Sequence, residues 1–391
     1  MRIIKRLLAA LIVLVVIALV AFFAFAPGFV EKARNAVLPH DPYPVSEAAQ
    51  QLHDRLIIGD LHADPLLWNR DLSRRGDYGQ VDIPRLLEGN VAVQVFTAVT
   101  KSPAGQNYEE NSAEAFDNVT SLAIGQLWPP RTWTSLLQRA IYQAEKLEAV
   151  EAALPDQFRI IRTRADLDSL LADRAAGQQV VGGILGIEGA HALEGDIANL
   201  DRIEAAGHRV IGLHHFFDNA LGGSLHGKDK QGLTDFGRAV VREVAQRGLV
   251  LDLAHSSPAV ALEVIEITDI PLIVSHSGVT AHCETPRNLP DDVMRQIAAT
   301  GGVIGMGYWD EVTCGDFTPA GVAKMTRTAV DLLGADHVAL GSDFDGSVTT
   351  AFDTSELAAL TQALLDEGLS EDQIAKVMGE NMVRVLRARL K

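Results

Sequence analysis

Eight short runs of apolar and small residues recur along the chain, at 56–61, 92–99, 180–187, 209–213, 249–254, 272–275, 302–308 and 337–342. Between most of them lie segments with helical spacing. Residues 233–247 carry Phe236, Val240, Val241 and Val244 at three-to-four intervals, the mark of one buried helix face. Residues 290–300 open on the acidic turn Asp291-Asp292 and close at Gly301-Gly302, so a helix there is bounded at both ends. Residues 318–333 and 356–367 read likewise. Strands that alternate with helices make parallel βαβ units, because each helix must carry the chain back before the next strand can start. Eight such units predict an α/β chain closed into a (β/α)8, TIM-like barrel, with its active site at the C-terminal ends of the strands. The 391 residues are many for one domain, but barrels of this kind exceed the usual size.

Composition narrows the function. A formal charge of −17, from 51 acidic and 34 basic residues, argues against nucleic acid as a partner, since phosphate binding needs clustered Lys and Arg. The two cysteines, Cys283 and Cys314, fit neither a disulfide framework nor a CxxC zinc site. They read as buried or free thiols, with a single disulfide as the alternative.

Arg2, Lys5 and Arg6 precede an unbroken apolar stretch over residues 7–26. That is about the length needed to cross a hydrocarbon core of roughly 30 Å. Ala24-Phe25-Ala26 resembles a signal-peptide cleavage site, but Pro27 follows directly and hinders cleavage. Residues 1–26 are therefore expected to be an uncleaved signal anchor, a single-pass transmembrane helix. Its basic flank places the N-terminus in the cytoplasm and the rest in a periplasm-like space outside a bacterial-type inner membrane. Residues 27–45, stiffened by Pro39, Pro42 and Pro44, read as a linker, and 46–391 as the barrel domain. Residues 101–154 break the rhythm and predict two helices flanking Pro129-Pro130, which either wall the pocket or pack outside the barrel.

Metal-type ligands sit at the ends of these strands. His62-Ala63-Asp64 places an imidazole and a carboxylate on one side of a strand, because side chains alternate with period two. Both suit a borderline cation such as zinc. Glu188, between Ile187 and Gly189, is a carboxylate that is costly to bury unpaired, and its two oxygens can bridge two cations. His255 and His276 each end a strand. Either alone reads best as a satisfied core histidine; two on adjacent strands favour ligands. Asp252 is expected to be structural or to orient a ligand. Asp343 could relay a proton, whereas Asp345 in the following turn reads as structural. One of His214 and His215 could polarise a carbonyl, and alternation does not choose between them.

Taken in order, these motifs resemble the membrane dipeptidase (renal dipeptidase) family. The matching stretches are Asp60–Asp64, Ile187–His191, Leu213–His215 with Asp218-Asn219, Asp252–Ser256, Ser275–Ser277, Pro286–Asp292 and Gly341–Gly346. The resemblance implies a binuclear zinc hydrolase of dipeptides, tolerant of D-residues at the C-terminal position. It implies that His62, Asp64 and Glu188 hold one Zn2+ and that Glu188, His255 and His276 hold the other, with Glu188 bridging. It places the substrate-polarising histidine on His215, the carboxylate-binding arginine on Arg287 and the proton-handling carboxylate on Asp343. It also makes a homodimer an expectation. Two departures stand out: His214 replaces a Thr, and Gly222-Gly223 stand where Ala-Asp is common. The competing reading is a related binuclear amidohydrolase acting on another amide or ester, such as an N-acyl amino acid. Relatives of that kind often begin with His-x-His and bridge through a modified lysine, unlike His62-Ala63-Asp64 and Glu188 here. A non-catalytic barrel would have lost a ligand, and none is lost.

Overall fold

The computed structural model describes residues 2–391. Nine parallel strands form one sheet: β1 (Ile58–Ala63), β2 (Val91–Val99), β3 (Phe158–Ile160), β4 (Val181–Glu188), β5 (His208–Gly212), β6 (Val250–Asp252), β7 (Ile273–Ser277), β8 (Val303–Met306) and β9 (Val338–Leu340). β1 pairs with both β2 and β9, and β2 pairs directly with β4 from Val93↔Gly182 to Val99↔Glu188, so eight strands close into a barrel. Each of the eight apolar runs contributes one of those strands. The short β3 is additional. It lies outside the ring against the start of β4, with Phe158 opposite Val181. Three residues are too few to show a strand period, so periodicity missed it.

The lumen is packed. Leu61, Val95, Ile184, Val210, Val250, Ile273, Val303 and Ala339, one from each barrel strand, cluster with Met382, Val385 and Leu386 of the C-terminal helix Asn381–Arg389. A larger apolar cluster joins the outer strand faces to the surrounding helices. Those helices begin and end where their caps dictate. Thr234 accepts a hydrogen bond from Gly237 N to start Asp235–Arg247, and Gly248, at φ +82°, ends it. Thr318 caps Pro319–Leu333 in the same way.

Three expectations change. The apolar N-terminal helix, α1 (Arg2–Arg34), is long and apolar enough to cross a membrane, but it does not stop at residue 26. It runs through Pro27 to Arg34, and the next residues are docked rather than loose. Thr350 N donates to Ala36 O, Leu38 N donates to Thr350 O, and Ser347 N donates to the Asn35 side chain. The buried Glu31 accepts from Arg70 Nε at 2.5 Å. Second, Cys283 and Cys314 are not free: they form a disulfide joining the loops after β7 and β8. The thiols are far apart in sequence and are brought together only by barrel closure. Third, residues 101–154 do both things proposed for them. Helix Asn118–Gly125 walls the pocket, while helix Leu136–Ala153 packs on the barrel's outside against β2 and β3.

Candidate metal centre

The strand ends converge as the alternation requires. His62 and Asp64 leave β1, Glu188 ends β4, His255 follows β6 and His276 lies in β7. All five are buried. His62 Nε2 lies 3.4 Å from Asp64 Oδ2 and 3.6 Å from Glu188 Oε1. The same oxygen, Glu188 Oε1, lies 3.1 Å from His255 Nε2 and 3.5 Å from His276 Nε2. The two imidazole Nε2 atoms are themselves 2.9 Å apart. One carboxylate thus faces two groups of ligand atoms.

Backbone geometry supports this convergence. His255 sits at φ +61°, a left-handed conformation that a non-glycine residue holds only when its surroundings impose it. Gly189, at φ +98°, turns the chain immediately after Glu188, and a Cβ there would stand 2.2 Å from the His191 ring. Behind the ligands lies a ring of buried hydrogen bonds. Ser275 Oγ is 2.9 Å from His276 Nδ1 and 3.3 Å from His62 Nδ1. Thr97 Oγ1 donates to Asp64 Oδ1 at 2.5 Å. Asp252 accepts from the backbone N–H of Ala254 and of Ser275, so it fixes the loops that present both histidines. Asp60 does the same for β1 and β9, accepting from Ser342 N and Ser342 Oγ. Single hydroxyls such as Thr97 and Ser275 carry no mark in the sequence that separates them from ordinary strand residues.

The electrostatics fit a cation. Burial disfavours charge on His62, but Asp64, Glu188 and Asp343 outweigh it and push the imidazole up to about 10. Burial raises Glu188, partly offset by His215 and His62. Burial lowers His255 and His276 well below the usual imidazole range, which keeps them neutral and able to donate a lone pair. Buried carboxylates facing His62 and the neutral imidazoles of His255 and His276 form a donor set suited to divalent metal, with Thr97 Oγ1 3.4 Å from His62 Nε2 at its edge.

The remaining candidates separate cleanly. His215 joins the site: its Nε2 is 3.3 Å from Glu188 Oε2, and its Nδ1 donates to the Lys101 carbonyl at 3.0 Å. His214 turns away and bonds Ser256 Oγ at 3.0 Å. Asp343, at φ +60°, has Oδ1 3.7 Å from His62 Nε2, and burial pushes its carboxyl well above the usual range. Gly346 makes room for it, since a Cβ there would lie 2.0 Å from Asp343 Oδ1. His215 and Asp343 are close enough to the ligand clusters to count geometrically among the donors. Asp345 is structural: it accepts from Arg70 and from the backbone of Gln80 and Val81. Arg287 is buried, donates to His276 O at 2.7 Å and lies over the Trp309 ring. Gly222 and Gly223 serve packing, because a Cβ on Gly223 would stand 2.3 Å from Gln231 N. Tyr108 was not foreseen; it lines the pocket and accepts a hydrogen bond from Trp309 Nε1 at 3.1 Å.

Comparison with known proteins identifies the family. The family described as membrane dipeptidase (peptidase family M19) matches residues 46–390. The chain belongs to the membrane dipeptidase family. It is a metallopeptidase-family hydrolase that acts on dipeptides. It is 28% identical to dipeptidase aclJ of Aspergillus oryzae, over 86% of this chain and 79% of that protein. The solved structure of dipeptidase AC, a metallopeptidase of family M19, shares 27% identity and a TM-score of 0.69, covering 86% of this chain and 99% of that one. A metallopeptidase from Rhodobacter sphaeroides, solved with a phosphinate mimic of the dipeptide L-Ala-D-Ala, shares 26% identity and a TM-score of 0.67, covering 85% and 99%. The barrel is therefore the fold of this family.

Proposed function

We propose that this membrane dipeptidase relative is a binuclear zinc enzyme. His62, Asp64 and Glu188 would hold one ion, and Glu188, His255 and His276 the other. The observation that carries the reading is the pair of Nε2 atoms of His255 and His276, 2.9 Å apart and both facing Glu188 Oε1. When bound, such a pair of ions supplies Lewis acidity and an acidified water.

The chain's own residues do the rest. Arg287 has guanidinium donors beyond its bond to His276 O, and they would clamp the substrate's C-terminal carboxylate. That end-group requirement limits the substrate to short peptides. His215 would orient the scissile carbonyl. Its Nδ1 is held by Lys101 O, which aims Nε2 into the site, 3.3 Å from Glu188 Oε2. Asp343 would take a proton at its carboxylate and pass it to the departing amine nitrogen. The L-Ala-D-Ala mimic bound by the Rhodobacter sphaeroides relative supports acceptance of a D-residue at the C-terminal position.

The same reading makes α1 a signal anchor with the barrel outside the cytoplasmic membrane. The basic residues Arg2, Lys5 and Arg6 ahead of the apolar stretch support that orientation, and the Cys283–Cys314 disulfide suits an oxidising compartment.

The test is hydrolysis of L,L and L,D dipeptides by the full chain in lipid nanodiscs, before and after chelation and zinc return. Cleavage that chelation abolishes and zinc restores is expected, with two zinc ions bound per chain. In Asp343→Asn, kcat should fall with zinc content unchanged. Loss of zinc from that variant would make Asp343 a ligand instead.

A further inference from the structure

The catalytic cavity is not closed by the barrel loops alone. It encloses about 560 Å³ and reaches from Glu188, His255, His276 and Arg287 to a face of α1. Phe22, Ala26 and Val30 line it, one helical turn apart, with Pro27 beside them. Val119 and Leu122 of helix Asn118–Gly125 line it from the adjoining side. This wall is held in place. Glu31, on the neighbouring face of α1, is buried against Arg70, and residues 35–38 are hydrogen-bonded to residues 347–350.

The wall has a definite position relative to Arg287. Around the ring β1-β2-β4-β5-β6-β7-β8-β9, the strands β2 and β7 are four steps apart, directly opposite. Helix Asn118–Gly125 belongs to the connection after β2, whereas Arg287 belongs to the loop after β7. A dipeptide whose carboxylate is clamped at Arg287 and whose peptide bond lies over Glu188 therefore directs its N-terminal residue toward the apolar wall. The cavity volume falls in the range that accommodates drug-sized molecules, more than two small residues occupy.

We propose that α1 and helix Asn118–Gly125 form an apolar subsite for the substrate's N-terminal side chain, so that this enzyme selects dipeptides beginning with a large apolar residue. The proposal rests on the dipeptidase reading above. It gives α1 a second role: besides its apolar span, the helix supplies a specificity wall that lies outside the family-matched residues 46–390.

The experiment compares kcat/KM for X-Ala dipeptides, with X as Gly, Ala, Leu or Phe, using the full chain in phosphatidylcholine–phosphatidylglycerol nanodiscs. Leu and Phe should exceed Gly by about tenfold or more, the scale expected when an apolar pocket reads several methylenes. Val30→Asn and Leu122→Asn should each reduce the Leu-to-Gly ratio several-fold, and the pair guards against one variant failing to fold. A flat series, or an unchanged ratio in both folded variants, overturns the subsite while leaving the dipeptidase reading intact. A rise along Ala-X instead of X-Ala, lowered by the same variants, overturns its assignment to the N-terminal residue. No cleavage of any dipeptide by zinc-loaded protein overturns the dipeptidase reading and the subsite with it.

Discussion

The Nε2 atoms of His255 and His276 stand 2.9 Å apart in a buried pocket, and neither ring is charged. Two neutral imidazoles that meet nitrogen to nitrogen can share one proton, but they can share a cation far better. His255 Nδ1 has no hydrogen-bond partner, so only ring packing and the facing Glu188 hold that imidazole. Removing metal should therefore cost stability as well as activity. At a free zinc concentration a hundredfold above Kd, the lost linkage is about 3 kcal/mol per ion. Calorimetry with and without chelator, paired with metal analysis, reads this directly; an unchanged melting temperature after complete zinc removal would contradict it.

Arg287 combines a structural bond with an open guanidinium. Arg287→Lys keeps the charge but loses the planar fork, so KM for dipeptides should rise about tenfold or more while the fold survives. Arg287→Ala also strips the His276 carbonyl of its 2.7 Å donor, which adds about 1–3 kcal/mol of destabilisation. Steady-state kinetics separate the two. An unchanged KM in the lysine variant would remove Arg287 from substrate binding.

Arg70 links α1 to the loop that carries Asp343. It donates to Glu31 on α1 and to Asp345, two residues beyond the proposed proton carrier. Its side chain is buried, as are both carboxylates, and burial raises Glu31 to about 7 despite the neighbouring guanidinium. Arg70→Met should leave both carboxylates without their cation. We expect a loss of about 3 kcal/mol in chemical denaturation and a lower kcat, because the loop presenting Asp343 loses its brace. A chain starting at residue 46 should show the same direction of change; full stability and activity in that truncated chain would show the docking to be dispensable.

His208 supplies an acid-side signature independent of the metal ligands. Burial lowers its imidazole from 6.5 to about 4, opposed in part by hydrogen bonds to the carbonyls of Ala140 and Gly186. Below pH 6.5 the unfolded chain takes up a proton that the folded chain refuses, so stability falls as the pH drops toward 4. The contribution is about 3 kcal/mol when fully lost. His208→Asn should flatten this part of the stability profile, measured by urea unfolding from pH 7 to pH 4. An identical slope in both proteins would place the titration elsewhere.

Much of this was legible in the chain before folding. His62, Asp64, Glu188, His255 and His276 stand out because each ends an apolar run, and strand ends of a parallel barrel share one rim. Period-two alternation is a local property, so it locates the rim residues. It does not locate partners across the ring. Thr97 and Ser275 hold Asp64 and His276 by single hydroxyls, and nothing local distinguishes them. The strand Phe158–Ile160 is too short to have a period.

Local pattern was enough for the barrel and for the buried strand-end residues proposed as metal ligands, because backbone sterics and side-chain alternation act over a few residues. Closure of the ring decided everything that depends on distance through space. It paired Cys283 with Cys314, turned His215 into the site and His214 toward Ser256, and brought one face of residues 22–34 to the cavity. Those contacts join segments separated by tens to hundreds of residues, and their geometry exists only once the eight strands have met.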